Sequence, residues 1–169
     1  MWNTAGTAGL VLGTVSSAYL YAGQLISGDL SPATLWQQVL SLALWGIKFA
    51  LCVFIMRFAM TRFAHENKDA GIKQIFRTGV LTALLSSLVF SGFYLANMLY
   101  ISPEYYNEVF GTMISQMSAE MDSNSKVALD RLAPMIPQIT FFSNLIYCFL
   151  FGVVLSGIIS RKINPKDLE

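Results

Sequence analysis

The chain has 169 residues, 54% of them apolar and only 12% charged, about half the charge of an ordinary soluble domain, and its mean hydropathy is positive at +0.54. A soluble fold of this size could not cover such a surface with polar groups, so the composition predicts one integral membrane domain over residues 1–169. The formal net charge of +1 lacks the basic excess of a nucleic-acid-binding module, and Cys52 and Cys148 both fall inside apolar runs, where they read as small packed residues rather than a disulfide or metal pair.

In chain order, the first apolar segment runs from Ala5 to Ile26. No Lys or Arg precedes it and no convincing small-residue cleavage site follows, so it reads as an uncleaved span. Ala5, Gly9, Gly13 and Ser17 recur at every fourth position, a stripe that lets another helix backbone approach closely. Residues 27–32 then form a turn in which Ser31 caps the next helix and Pro32 takes its first position.

The second span, residues 35–60, carries Trp36 and Trp45 as packing or interfacial aromatics and one ionisable group, Lys48. Lying about twelve residues from either end, its Cα is roughly 18 Å from both boundaries. A charge at that depth costs several kcal/mol unless it snorkels or is paired. No Asp or Glu occurs in any proposed span. The alternatives are an amine that snorkels to headgroups, one that hydrogen-bonds Asn144, Ser86, Ser87 or span carbonyls, and one that meets a ligand, a lipid phosphate or a partner subunit.

A turn over residues 61–78 follows, with a lone, solvated histidine, His65. Around it Arg57, Arg62, Lys68, Lys73 and Arg77 outnumber Glu66 and Asp69. From Gly71 to Gly79 apolar and basic positions alternate at helical spacing, predicting a short amphipathic lead-in in the headgroup layer with Arg62, Lys68, Lys73 and Arg77 at the lipid surface. The third span, residues 80–101, repeats the small-residue stripe at Ala83, Ser87 and Ser91, where close packing is expected to be joined by interhelical hydroxyl and amide hydrogen bonds. Asn97 sits near its far end.

Ser102-Pro103-Glu104 is a helix start: a capping serine, proline in the first position and an acid in the first turn. Tyr106, Val109, Phe110, Met113, Met117 and Met121 then recur at three and four residues, opposite Glu104, Glu108, Gln116 and Glu120. With a shorter piece over 126–133, this predicts an amphipathic helical hairpin at 102–136 whose methionine stripe is ordinary core. The last span, 138–160, holds Asn144 and Tyr147 in its outer half and Gly152 and Ser156 on a small-residue face. The middle turn and the tail carry eight Lys/Arg against four acids, and the first turn with the 102–136 region two against six. Four crossings with both termini cytoplasmic and 102–136 on the far side satisfy that bias. The expected fold is an all-α, four-helix transmembrane bundle with an extracytoplasmic hairpin.

The run Asp69-Ala70-Gly71-Ile72-Lys73-Gln74-Ile75-Phe76-Arg77-Thr78-Gly79, leading into an apolar span and then Ile101-Ser102-Pro103-Glu104-Tyr105-Tyr106, with a Met/Glu-rich helix and a Pro-ended exit into a Gly/Ser-containing last span, resembles the bacterial membrane family known as domain of unknown function 4199 over essentially the whole chain. In that family the hairpin more usually reads Gly-Gly-Tyr-Ile-Ser-Phe before the basic residue. This chain keeps the glycine, the isoleucine and the basic-x-Gly but has Lys73 and Gln74 where Ser and Phe are usual. The resemblance implies a four-span inner-membrane protein of Gram-negative bacteria, and as partner a family-2 glycosyltransferase acting on polyprenyl phosphate. The family has no assigned reaction.

No paired carboxylates, Ser/His/Asp set, phosphate loop or zinc spacing occurs, so neither an enzyme nor a cofactor or metal is expected. Two functions compete, the first being the leading one and the second the runner-up. One is an accessory or scaffold subunit, or a homo-oligomer, using the small-residue faces at Gly9, Gly13, Ala83, Ser87, Ser91, Gly152 and Ser156 and the outer hairpin to hold a membrane-associated enzyme. The other is a small transporter, channel or lipid-handling protein in which Lys48, Asn97, Asn144 and Tyr147 line a polar path.

Overall fold

The computed structural model describes residues 2–26, 35–67, 70–119 and 131–163, and among them the chain is almost entirely helical, without a strand. Helix α1 spans Trp2–Ile26, α2 Leu35–Glu66 and α3 Ile72–Ala96, which runs on into a π-helical turn at Asn97–Ile101. Helix α4 spans Pro103–Ala119. After a 3-10 turn at Ala133–Met135, α5 spans Ile136–Lys162. The expected turn at 27–32, Lys68, Met121 and residues 126–130 of the 126–133 piece lie outside the described residues.

Three stretches are long and apolar enough to cross a membrane: Gln38–Glu66, Ile72–Ile101 and Ala133–Lys162. Helix α1 has 25 residues and no charge, but Gly, Ser and Thr dilute its hydropathy and it is not among the three. The middle turn is much shorter than the sequence predicts. Helix α2 continues to Glu66 and α3 begins at Ile72, so the predicted amphipathic lead-in is simply the first turns of α3. The expected boundary followed the edge of the apolar run, yet nothing at a headgroup boundary breaks a helix. Phe63 and Ala64 remain buried with Met60, Ile75 and Ile159, and Arg62 and Glu66 pair at 2.8 Å across one turn. The turn closes with Ala70 N–H donating to Asn67 O and Ile75 N–H to Gly71 O.

The chain forms two compact units. The first comprises Met1–Phe90 with Leu145–Glu169. Its organising feature is the close approach of α1 and α5 to α3. A Cβ placed on Gly9 would lie 2.7 Å from the Leu85 Cβ, and one on Gly13 2.6 Å from the Val89 Cβ. On the α5 side, a Cβ on Gly79 would meet Ser156 Oγ at 2.7 Å, and one on Gly152 would overlap that of Ala83. Buried hydroxyls at these contacts bond within their own helices: Thr78 to Gln74 O, Thr82 to Thr78 O and Ser156 to Gly152 O, at 2.7–3.0 Å. Ser87 likewise donates to Leu84 O. At these four positions the bonds stand in place of the interhelical ones expected from the sequence: the residues contribute small size while their own polarity is satisfied locally, whereas the Ser91 hydroxyl of the same stripe is fully buried without a hydrogen-bond partner among the described residues.

The second unit, Ser91–Asn144, is organised by the π turn. Ser102 N–H donates to Asn97 O at 2.9 Å, five residues back, and Pro103 then opens α4, where its missing N–H is harmless. Asn97 is fully buried and donates its amide to the Tyr106 hydroxyl at 3.3 Å. Tyr94, Tyr105 and Phe110 surround the Tyr106 ring at centroid distances of 5.4–6.1 Å. Burial, with Tyr94 adding to it, pushes the Tyr106 phenol well above the usual tyrosine range, so it stays protonated at physiological pH. The methionine stripe departs from expectation: Met113 and Met117 are exposed. Periodicity alone marks an apolar face without saying whether anything covers it.

Gly13→Leu is expected to destabilise the protein by about 2 kcal/mol through overpacking against Val89. Gly23→Ala, where open space surrounds the position, should leave stability unchanged or slightly raised. Thermal unfolding of both variants in one detergent checks this; equal midpoints would sink the close-packing account.

Candidate functional site

Helix α2 sets Lys48, Cys52 and Met56 four residues apart and therefore on one face. That face borders a cavity of about 270 Å³ whose walls also come from α1, α3 and α5. Its floor is made by buried residues, among them Ser16 of α1, Met56 of α2, and Ser86 and Phe90 of α3. Its rim is different: Trp45 and Phe49 of α2 and Tyr147 and Phe151 of α5 are all exposed, Tyr147 by 72%. The cavity thus opens sideways between α2 and α5, on the flank of the bundle rather than at an end.

Lys48 is half-buried beside this opening. Its Nζ lies 4.8 Å from the ring centre of Tyr19 on α1 and 5.0 Å from that of Phe90 on α3. Neither ring was suggested by spacing in the sequence, because each stands on a different helix and only the bundle brings it to the amine. Two cation–π contacts supply about 0.5–2 kcal/mol each. An ammonium at membrane depth costs several kcal/mol, and no carboxylate pairs with it: the ion pair among the described residues is Arg62–Glu66. Lys48 follows Gln38 by ten residues and precedes Arg57 by nine, so helix rise puts its Cα about 14 Å from each. The charge is held but not neutralised.

Of the four residues expected on a polar path, Lys48 and Tyr147 line the cavity together. Asn97 is engaged with Tyr106, and neither it nor the half-buried Asn144 is among the lining residues. Ser86 lines the cavity, whereas Ser87 is turned to its own helix. Both thiols, Cys52 of α2 and Cys148 of α5, are free and also face the cavity. The sequence reading treated them only as packing residues; their shared depth on neighbouring spans was the available clue. Arg62, Lys73 and Arg77 are exposed, as are Arg57, Arg161 and Lys162, while Lys68 lies outside the described residues. No group of three or more His, Cys, Asp or Glu side chains that could hold a metal occurs among the described residues.

Tyr19→Leu is expected to lower the unfolding midpoint, and Lys48→Met to keep or raise it, since removing an incompletely compensated charge relieves a penalty. In the double variant the Tyr19 loss should shrink by about 1 kcal/mol. A double-mutant cycle on detergent-purified protein measures that coupling, and a value of zero would mean the ring contact carries no energy.

No curated protein and no solved structure matches the chain. A family model matches residues 7–161, nearly its whole length. Together with the helical architecture and its three membrane-length apolar stretches, this match shows that the chain belongs to the family described as Protein of unknown function (DUF4199).

Proposed function

We propose that the protein is a non-catalytic, four-span protein of a bacterial inner membrane, with both termini cytoplasmic and residues 102–136 periplasmic, and that it handles a lipid-like ligand in the Lys48 cavity. The observation that carries the reading is Lys48 itself: an ammonium with no carboxylate partner among the described residues, held by two ring faces beside a cavity with a lateral mouth. Helix α1 supplies the fourth crossing, since it is uncharged, 25 residues long and packed on α3 through Gly9 and Gly13. The exposed basic ends of α2, α3 and α5, at Arg57, Arg62, Lys73, Arg77, Arg161 and Lys162, then share the cytoplasmic side.

A second reading, an accessory or scaffold subunit of a membrane-associated enzyme such as a polyprenyl-phosphate glycosyltransferase, is favoured by a separate feature. Met113 and Met117 are exposed on α4, the helix this topology sets outside the bilayer, and flexible exposed methionines suit an adaptable protein contact. Under that reading a larger protein co-purifies in mild detergent and is lost when both methionines become serine.

Two measurements test the primary reading. In spheroplasts of a Cys52→Ser, Cys148→Ser background, a membrane-impermeant maleimide should label Asn124→Cys and leave His65→Cys untouched; the reverse pattern would overturn the topology. In the purified parent protein, N-ethylmaleimide should alkylate both native thiols without unfolding. Thiols that react only after denaturation would rule out an accessible cavity.

A further inference from the structure

Resting on that reading, we infer that the ligand of the Lys48 cavity is an anionic single-chain amphiphile, a carboxylate or phosphate borne on a hydrocarbon chain, which enters sideways from the bilayer and sets its head against the Lys48 ammonium. Charge comes first. Among the described residues the one acid in the membrane-length stretches, Glu66, pairs with Arg62, and none pairs with Lys48, so the counter-charge that completes Lys48 is sought in a ligand. Two aromatic faces hold a cation in place without neutralising it, which leaves its remaining donors available to an anion.

The polar groups of the cavity agree with an anionic head. Besides Lys48, the lining carries the hydroxyls of Ser16 and Ser86 on the floor and Tyr147 at the mouth, each able to donate to an oxyanion. Everything else that matters for a tail is apolar: Trp45 and Phe49 from α2 and Phe151 from α5 frame the exit.

Size narrows the ligand further. About 270 Å³ falls just under the 300–1,000 Å³ of sites that enclose a drug-sized molecule, so the interior admits a head and its first few carbons. The remainder of the chain must pass between the rim aromatics into the surrounding lipid. A water-soluble anion would gain nothing from that lateral mouth, and a neutral amphiphile would leave the ammonium as it was.

The thiols of Cys52 and Cys148 report on occupancy directly. The full-length protein in a neutral maltoside detergent is treated with N-ethylmaleimide, and alkylation of each cysteine is followed by mass spectrometry with and without added ligand. Dodecyl phosphate and oleate represent the two sources of the anionic head; dodecanol is the neutral control, and inorganic phosphate is the head without a chain. At least one of the two anionic amphiphiles should slow alkylation by about tenfold, the size of effect expected when a charge-assisted contact closes a site. Dodecanol and inorganic phosphate should slow it less than twofold. Protection, taken relative to each variant's own ligand-free rate, should persist in Lys48→Arg and disappear in Lys48→Met, with the unfolding midpoint confirming that both variants are folded.

Protection by dodecyl phosphate alone assigns the head as a lipid phosphate, and by oleate alone as a fatty-acid carboxylate; either supports the inference. Equal protection by dodecanol, full protection in Lys48→Met, or protection by inorganic phosphate alone would overturn it, as would protection by none of the four. In each of those cases thiols that react in the folded, ligand-free parent leave the reading of an accessible cavity standing. Thiols that do not react remove both.

Discussion

Everything in the first unit depends on how close α3 comes to its two neighbours. Gly9 and Gly13 bring α1 almost to backbone contact with α3, and Gly79, Gly152, Ala83 and Ser156 do the same for α5. Apolar side chains drive no association in a medium already apolar, so packing and the absence of side-chain bulk must do it. That same approach sets the distances around Lys48. Tyr19 and Phe90 reach one ammonium from opposite helices only because α1 and α3 are held together one turn away.

The cavity follows from the contrast between these tight seams and a loose one. Along α1–α3 the glycines Gly9 and Gly13 receive Leu85 and Val89, and along α3–α5 Gly79 and Ala83 meet Ser156 and Gly152. Where α2 faces α5 at the cavity, the residues are Trp45, Phe49, Tyr147 and Phe151, which remain exposed even though the Phe49 and Phe151 rings meet at 5.8 Å between centroids. Helix α2 is accordingly the least buried of the three membrane-length stretches, at 6% of its apolar window. A bundle with close seams on two sides and a wide one on the third has a lateral opening, and Lys48 stands beside it. Among the described residues, the one Lys in the middle of a membrane-length stretch is therefore placed beside that opening.

The second unit works by a different device. Chain direction changes at the π turn before Pro103, and the change is stabilised by a fully buried amide, Asn97, bonded to a tyrosine that is itself packed among three rings. Near the end of an apolar stretch, a polar side chain of this kind acts as a fastening rather than as part of a conducting path. Asn97 shares its chemistry with the residues of a polar path but is already committed nine residues further along the chain.

Composition and period were enough to establish that the chain is helical, that long apolar helices dominate it, and where those helices lie to within a few residues at most ends. Each of those properties is local, carried by runs of twenty or more residues. The small-residue stripes could also be read directly, since a fourfold repeat puts residues on one face whatever that face meets. Local information could not show that α2 and α3 run on through the predicted middle turn, because burial of Phe63, Ala64 and Ile75 is a tertiary fact, nor that Met113 and Met117 would be left uncovered. It could single out Lys48 as anomalous, but not find Tyr19 and Phe90, 29 and 42 residues away in sequence, or gather Ser16, Cys52, Ser86, Tyr147 and Cys148 around one space. A cavity belongs to several helices at once, so only the arrangement of those helices decides whether it exists and what it holds.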